Sequence, residues 1–186
     1  MRPIEIYSSS SDPILITGAT GSFGSALAHF LHDHTRHKIR LYSRGEHAQH
    51  DLVAVLGSER VTGIIGDVRD ANQLALAARG CWAIVHAAAL KTVPGGEQHA
   101  LEFVKTNIYG TQNVIAAALE NDVSHCLLIS SDKAVQAVNL YGASKFVAEK
   151  LFLQANRLSP APGSASLNGF AGRVSRFSVV RGGNVW

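Results

Sequence analysis

A chain of 186 residues, 46% hydrophobic and 17% charged, is long enough for one domain with a real core and has an ordinary globular balance. Its formal charge of +3 is small and its basic residues form no run, which removes the case for nucleic acid as a partner. The longest apolar stretch, CWAIVHAAAL, is too short to span a bilayer, and the first residues lack the apolar core of a secretory signal, so no membrane partner and a cytoplasmic location are expected.

Beyond an N-terminal extension, 1–12, short apolar runs alternate with helical ones. PILIT (13–17) predicts a strand, SFGSALAHFLHDH (22–34) a helix with Phe23, Leu27, Phe30 and Leu31 on its apolar face, and KIRLYS (38–43) a second strand. AQHDLVAVLG (48–57) predicts a helix closed by Gly57, RVTGIIG (60–66) a third strand, and DANQLALAARG (70–80) a helix that starts at Asp70 and stops at Gly80. CWAIVHAA (81–88) reads as strand four, much of 98–121 as one long helix, and SHCLLISS (124–131) as strand five. LYGASKFVAEKLFLQAN (140–156) is a further helix and RFSVVRGG (176–183) strand six, with SPAPGSASLNGFAG (159–172) a surface loop between them. This alternation predicts βαβ units and hence an α/β fold, a doubly wound parallel sheet occupying 13–186. Parallel strands are buried on both faces, which matches the continuous apolar character of these runs.

The turn TGATGSFG (17–24) places Gly18, Gly21 and Gly24 between strand one and helix one, a G-x-x-G-x-x-G relative of the dinucleotide fingerprint. Gly18 can take a tight turn, Gly21 lets a pyrophosphate approach the backbone, and Gly24 lets the helix pack close. The helix N-terminus then offers free N–H groups and partial positive charge to phosphates. Thr20, Ser22 and Phe23 share that turn and are candidates for cofactor contact. At the end of strand two, where NAD binders tend to carry an acidic residue, stand Ser43 and Arg44; Arg44 can pair with a 2′-phosphate, which favours NADP over NAD. After strand three, Asp67 can accept from an adenine amine and Val68 can pack on the ring, while Asp70 is a helix cap.

With these motifs, HAAALKTVP (86–94), TNIYGTQNVI (106–115), SSDKA (130–134), NLYGASK (139–145) and RGGNV (181–185) resemble the extended short-chain dehydrogenase/reductase superfamily. The match is nearest to the inverting UDP-N-acetylglucosamine 4,6-dehydratases, grouped with the polysaccharide-biosynthesis nucleotide-sugar dehydratases. It runs from about Pro13 to the last residue and implies an NAD(P)-binding Rossmann fold, an NADP cofactor regenerated in each turnover and a UDP-sugar substrate. By resemblance, Tyr141 and Lys145 are the catalytic pair that takes the proton from the sugar C4 hydroxyl, with the lysine favouring the phenolate. Lys133 would be the base at C5 and Asp132 the acid for the departing C6 hydroxyl, each with its pKa shifted by burial or neighbours. Ala88, Ala89 and Lys91 match positions lining the cofactor ribose and pyrophosphate; Lys91, Ser131 and Asn184 match substrate-contacting positions. Asn107 matches an asparagine that holds helix to strand through backbone hydrogen bonds, and His86 reads as a satisfied core histidine.

Departures from the family are Gly182 for a tyrosine, Thr92 for a histidine, and the family's C-terminal substrate region, which is absent from this sequence. Weak or no turnover from the chain alone is therefore expected. A nucleotide-sugar epimerase, which uses Tyr141 without needing Asp132 and Lys133, and a non-catalytic NADP-binding module or fragment remain alternatives. Family members commonly oligomerise through helices, which makes a homo-oligomer plausible. No metal is expected: His29, His32, His34 and His37 straddle a helix end and read as solvated. Cys81 and Cys126, each in an apolar run, read as buried thiols.

Overall fold

Neighbouring residues of a strand face opposite ways, and β1 (Ile14–Thr17) is buried along its whole length because both of its faces are covered. Residues 11–158 and 175–182 are described by a computed structural model. They form a parallel sheet in the order β3-β2-β1-β4-β5-β6, with β2 at Ile39–Ser43, β3 at Val61–Ile65, β4 at Ala83–His86, β5 at His125–Ser131 and β6 at Arg176–Gly182. Ile14 and Ile16 pack with Ala28 and Leu31 of α1 (Ser22–His34) and Leu52 and Leu56 of α2 (Glu46–Leu56). Leu15 faces the other core, built from Leu74 of α3 (Ala71–Ala78), Val114 of α6 (Gly110–Glu120) and Phe152 of α7 (Leu140–Ala155). This is the expected doubly wound α/β architecture.

Several boundaries differ from the sequence reading, each for a local reason. The apolar face of α1 is Gly24, Ala28 and Leu31; Phe23 and Phe30 are 45% and 49% exposed. Small residues win that face because Gly24 meets the Gly18 carbonyl and the Ala19 backbone so closely that a Cβ would collide with both. β4 ends at His86, short of the expected residue 88, and the chain leaves the sheet as a loop over the cavity described below. The long helix expected over 98–121 is interrupted. A short α4 (Val93–Gln98) with Pro94 in its first turn ends at His99. Helix then resumes as α5 (Ala100–Phe103), widens into a π-helical turn at Val104–Tyr109, and continues as α6. The edge strand β3 exposes Thr62, Gly63 and Ile65, so the continuous burial expected of parallel strands holds only for the inner ones.

The caps behave as their residue types require. Asp70 accepts from the Gln73 N–H at 3.0 Å, and Gly57 closes α2 at a φ of 85°. His37 corrects the solvated reading: it is buried, stacks on Trp82 with ring centroids 5.1 Å apart, and bonds the Asp12 carbonyl through Nδ1. Cys81 and Cys126 are buried free thiols, pushed up to about 11 and about 12 by burial. Among the described residues no helix is long and apolar enough to cross a membrane, and no group of His, Cys, Asp and Glu side chains could hold a metal ion. The loop expected over 159–172 and Asn184 lie outside the described residues.

Candidate functional site

Where the strand order reverses between β1 and β4, the carboxyl ends of the strands open into a cavity of about 720 Å³. Gly18 forms its floor at a φ of 69°, and a Cβ there would stand 2.6 Å from the Ala88 nitrogen. The position thus demands glycine twice, for its left-handed backbone and for its contact with the loop after β4. Gly21 is the N-cap of α1, with no side chain capping the helix and no acidic residue in its first turn. The first-turn amides of Ser22, Phe23 and Gly24 therefore face the cavity with the positive end of the helix dipole behind them.

Every residue expected to bind cofactor lines this one cavity: Gly18, Thr20, Gly21, Ser22, Phe23, Gly24, Ser43, Arg44, Asp67, Val68, Ala88, Ala89, Lys91, Tyr141 and Lys145. Three of them, Ser43, Asp67 and Lys145, have prior engagements. Ser43 is buried, and its hydroxyl accepts from Gln49 Nε2 at 3.1 Å. Asp67 accepts from Arg69 through its Nε at 2.9 Å, its Nη2 at 2.6 Å and its backbone N–H at 3.0 Å. Burial raises the Asp67 carboxyl, but the Arg69 bonds outweigh it and hold the group below its ordinary range. A carboxylate offers about four lone-pair sites, so room for a further donor is narrow but present.

The wall opposite the glycine turn is α7. Asn139 caps it by accepting from the Gly142 N–H at 2.8 Å, which fixes the first turn that carries Tyr141. Lys145 lies one turn further on the same face, 3% exposed, with Nζ donating to the Ile129 carbonyl at 2.6 Å. Burial lowers its pKa to about 8, against the Glu149 carboxylate, which raises it. Glu149, another turn along, is itself gripped by Arg181 of β6 through Nε at 2.8 Å and Nη2 at 2.6 Å. That pair, with help from the Ser130 hydroxyl, keeps the Glu149 carboxyl below its usual range. Sequence reasoning missed Glu149 and Arg181; the four-residue spacing from Lys145 was the available signal.

Asn107 clamps the loop after β4 from within the π-helical turn. It accepts from the Leu90 N–H at 2.8 Å and donates to the Leu90 carbonyl at 2.9 Å, as expected. It also donates to the Ser144 hydroxyl, which bonds the Tyr141 carbonyl at 2.8 Å, so one chain of hydrogen bonds runs from the loop to the tyrosine's backbone. His86 sits beneath, fully buried, between Thr17 at 2.7 Å and Thr111 at 3.1 Å.

Asp132, Lys133 and Ser131 stand apart from the cavity walls. They form a 3-10 turn, Asp132–Ala134, capped by Ser131, whose hydroxyl donates to Asp132 Oδ1 at 2.9 Å. Lys133 Nζ is 3.4 Å from the same oxygen, and the two side chains are 36% and 56% exposed for Lys133 and Asp132 respectively. The burial expected to protonate Asp132 is thus not provided by this chain: the Ser131 bond, then Lys133, holds its carboxyl below the ordinary range. Ser131, expected to contact substrate, is turned onto Asp132 instead. The turn is nonetheless locked to α7, because the Lys133 carbonyl occupies the place a Cβ on Gly142 would fill.

The cavity's features suit a dinucleotide: a cradle that side chains at Gly18 and Gly24 would block, an uncapped helix N-terminus, and the cations Arg44 and Lys91 in its wall. Comparisons with known proteins agree in kind. The sequence matches the polysaccharide biosynthesis protein family over residues 14–186. It is 43% identical over 173 residues to a UDP-N-acetylglucosamine 4,6-dehydratase (inverting) of Campylobacter jejuni, covering 92% of this chain and 48% of that protein. It is 40% identical over 149 residues to a UDP-glucose 4-epimerase of Rickettsia akari, covering 78% of this chain and 44% of that one. A double mutant of DesIV, a dTDP-glucose 4,6-dehydratase of Streptomyces venezuelae crystallised with NAD, superposes with a TM-score of 0.69 at 27% identity, over 77% of this chain and 51% of that one. The chain spans about half the length of the curated relatives it matches.

Proposed function

The chain belongs to the polysaccharide biosynthesis protein family, and from that premise we propose that it is the cofactor-binding and catalytic part of a nucleotide-sugar 4,6-dehydratase. Its substrate is UDP-N-acetylglucosamine or a similar UDP-sugar, and its cofactor is NADP, held by the glycine turn with Arg44 against the 2′-phosphate. The observation that carries this reading is the seat of the Asp132–Lys133 turn on Gly142, beside Tyr141 at the head of α7. An alcohol oxidation needs only Tyr141 and Lys145; a second acid–base pair fixed to the same helix suits an elimination.

When bound, the nicotinamide ring supplies the acceptor for hydride from C4 and its donor to C6. Tyr141 takes the C4 hydroxyl proton, with the Lys145 cation one turn further along the same helix face. The resulting ketone acidifies C5–H, Lys133 Nζ removes that proton, and Asp132 protonates the departing C6 hydroxyl as water; C5 regains a proton as hydride returns to C6, so the two protons taken by Tyr141 and Lys133 balance that one and the one given by Asp132. For this the pair must start as neutral amine and carboxylic acid. Exposed, it rests as an ion pair with the carboxyl held low. Passing one proton from Nζ to Oδ1 reaches the active form with no change in proton count. Covering the pair with a sugar favours that form, because desolvation penalises both charges.

The 40% identity to a UDP-glucose 4-epimerase supports a second reading, oxidation and return at C4 alone. The purified chain, supplied with NADP and UDP-N-acetylglucosamine, separates the two by NMR of the products. Turnover by this chain alone is expected to be weak, and what product forms should be a 4-keto-6-deoxy sugar, with Lys133→Ala lowering its formation at least about 100-fold while NADP affinity stays within about twofold. A C4 epimer as the sole product, or an undiminished Lys133→Ala variant, would overturn the dehydratase reading.

A further inference from the structure

The backbone after β3 is pinned from two sides. Tyr42 donates its hydroxyl to the Asp67 carbonyl at 2.9 Å, and Asn113 of α6 donates to the Val68 carbonyl at 2.9 Å. With its main chain held, Asp67 keeps one freedom that matters to the cavity, the turn of its carboxylate. Arg69 sets that turn. Asp67 Oδ1 accepts from the Arg69 backbone N–H at 3.0 Å, while Oδ2 accepts from Nε at 2.9 Å and Nη2 at 2.6 Å. A carboxylate offers about two lone pairs on each oxygen, so Oδ2 is filled and, among the described residues, Oδ1 keeps one to offer.

Arg69 is an exposed residue on a long side chain, and it is fastened at its far end. Its Nη1 donates to Glu102 Oε2 at 2.6 Å, and Lys105 Nζ donates to Glu102 Oε1 at 3.0 Å. Glu102 stands on α5 and Lys105 in the π-helical turn, so the guanidinium is stretched between the loop after β3 and the helix that leads into α6. Exposed ion pairs contribute little to stability. The fork of a guanidinium does fix direction, because its N–H groups lie in one rigid plane. Arg69, Glu102 and Lys105 all stand outside the cavity wall, and Asp67 is the member of the chain that lines it.

We propose that Arg69 is a positioning residue for base selection: anchored on Glu102, it turns the half-free oxygen of Asp67 to the cavity, so that the site prefers a purine with an exocyclic amine to one with a carbonyl in its place. The inference rests on the reading of the cavity as a dinucleotide site with the purine against Asp67 and Val68. An amine donates to the lone pair that Oδ1 keeps; a carbonyl would face it with no proton between them. Without Arg69 the carboxylate is free to turn to Arg44, a second cation acting on it and part of the same wall.

Calorimetry with NADP and with nicotinamide hypoxanthine dinucleotide phosphate, which carries a carbonyl in place of the amine, measures this preference as a ratio of affinities. A general loosening of the fold, or a displaced Arg44, weakens both coenzymes and cancels in the ratio. The wild-type chain should prefer NADP by about tenfold or more. Arg69→Met, which keeps the side chain's length and removes its fork, should lower that ratio at least about threefold. Glu102→Ala, which frees the far end of the guanidinium, should lower it by less. A ratio that stays unchanged in either variant, or rises, overturns the proposal; a rise would mean that Arg69 competes with the base for Asp67. Equal affinities in the wild type would show that Asp67 does not distinguish the amine, and would overturn the proposal while leaving the dinucleotide reading in place. If the wild-type chain binds neither coenzyme, that reading itself falls, and this inference with it.

Discussion

His86 shows how a single buried side chain couples the fold to pH. Thr111 donates its hydroxyl proton to the Asn107 carbonyl, so it accepts from His86 Nε2–H, which leaves Nδ1 to accept from the Thr17 hydroxyl. The hydroxyls select the neutral ring. Burial, with the Lys145 cation adding to it, lowers the pKa to about 3 from 6.5. The unfolded chain gains this proton as pH falls through 6.5 and the folded chain does not until about 3, so the stability is present above 6.5 and lost on acidification. Between pH 7 and pH 5 this one group removes roughly 2 kcal/mol. His86→Gln should therefore show a flatter urea midpoint across that interval than wild type; parallel curves would mean that the folded ring takes up its proton over the same pH range as the unfolded one. At this same scale the sequence was legible where backbone geometry demands a residue type, as at Gly18. It was illegible at Phe23 and Phe30, whose bulk suggested a buried face that the close approach at Gly24 reserves for small side chains.

Helix α7 shows what an element adds. Tyr141, Lys145 and Glu149 follow one another at single-turn spacing, and Arg181 from β6 closes the row with a bidentate pair. Lys145 thus stands between two influences: burial, which favours the neutral amine, and the Glu149 carboxylate, which favours the cation. With a pKa of about 8 it is charged at neutral pH and loses its charge just above it. Glu149→Gln removes the carboxylate and keeps the shape, so the Lys145 pKa should fall below about 8. The alkaline limb of any Tyr141-dependent oxidation should move to lower pH with it. NMR titration of the Lys145 side chain checks this directly, and an unmoved pKa would show that Glu149 serves packing alone. The Tyr-x-x-x-Lys spacing was visible in the sequence, whereas the Arg181 contact is not, because it joins residues far apart in the chain. The π-helical turn Val104–Tyr109 was likewise hidden, because the helical apolar period holds both before and after it.

At the scale of the whole molecule, the sheet order brings the glycine turn, the loop after β4 and the head of α7 to one opening at the strand reversal. The alternating pattern of apolar runs was enough to foresee that convergence, and every expected cofactor residue lies in one wall or another. What it could not foresee is how far this chain leaves the Asp132–Lys133 pair exposed to water. Asp132 and Lys133 were singled out by motif, yet their side chains face solvent and their charges take the resting form opposite to the one an elimination needs. Motif assigns partners; only placement tells how far each lies from its working state. The account depends throughout on the cavity being a dinucleotide site, and isothermal titration of the chain with NADP and with NAD tests this most directly. One equivalent of NADP per chain, bound more tightly than NAD and losing that preference in Arg44→Ala, is the expected result. The absence of heat with either coenzyme would contradict it.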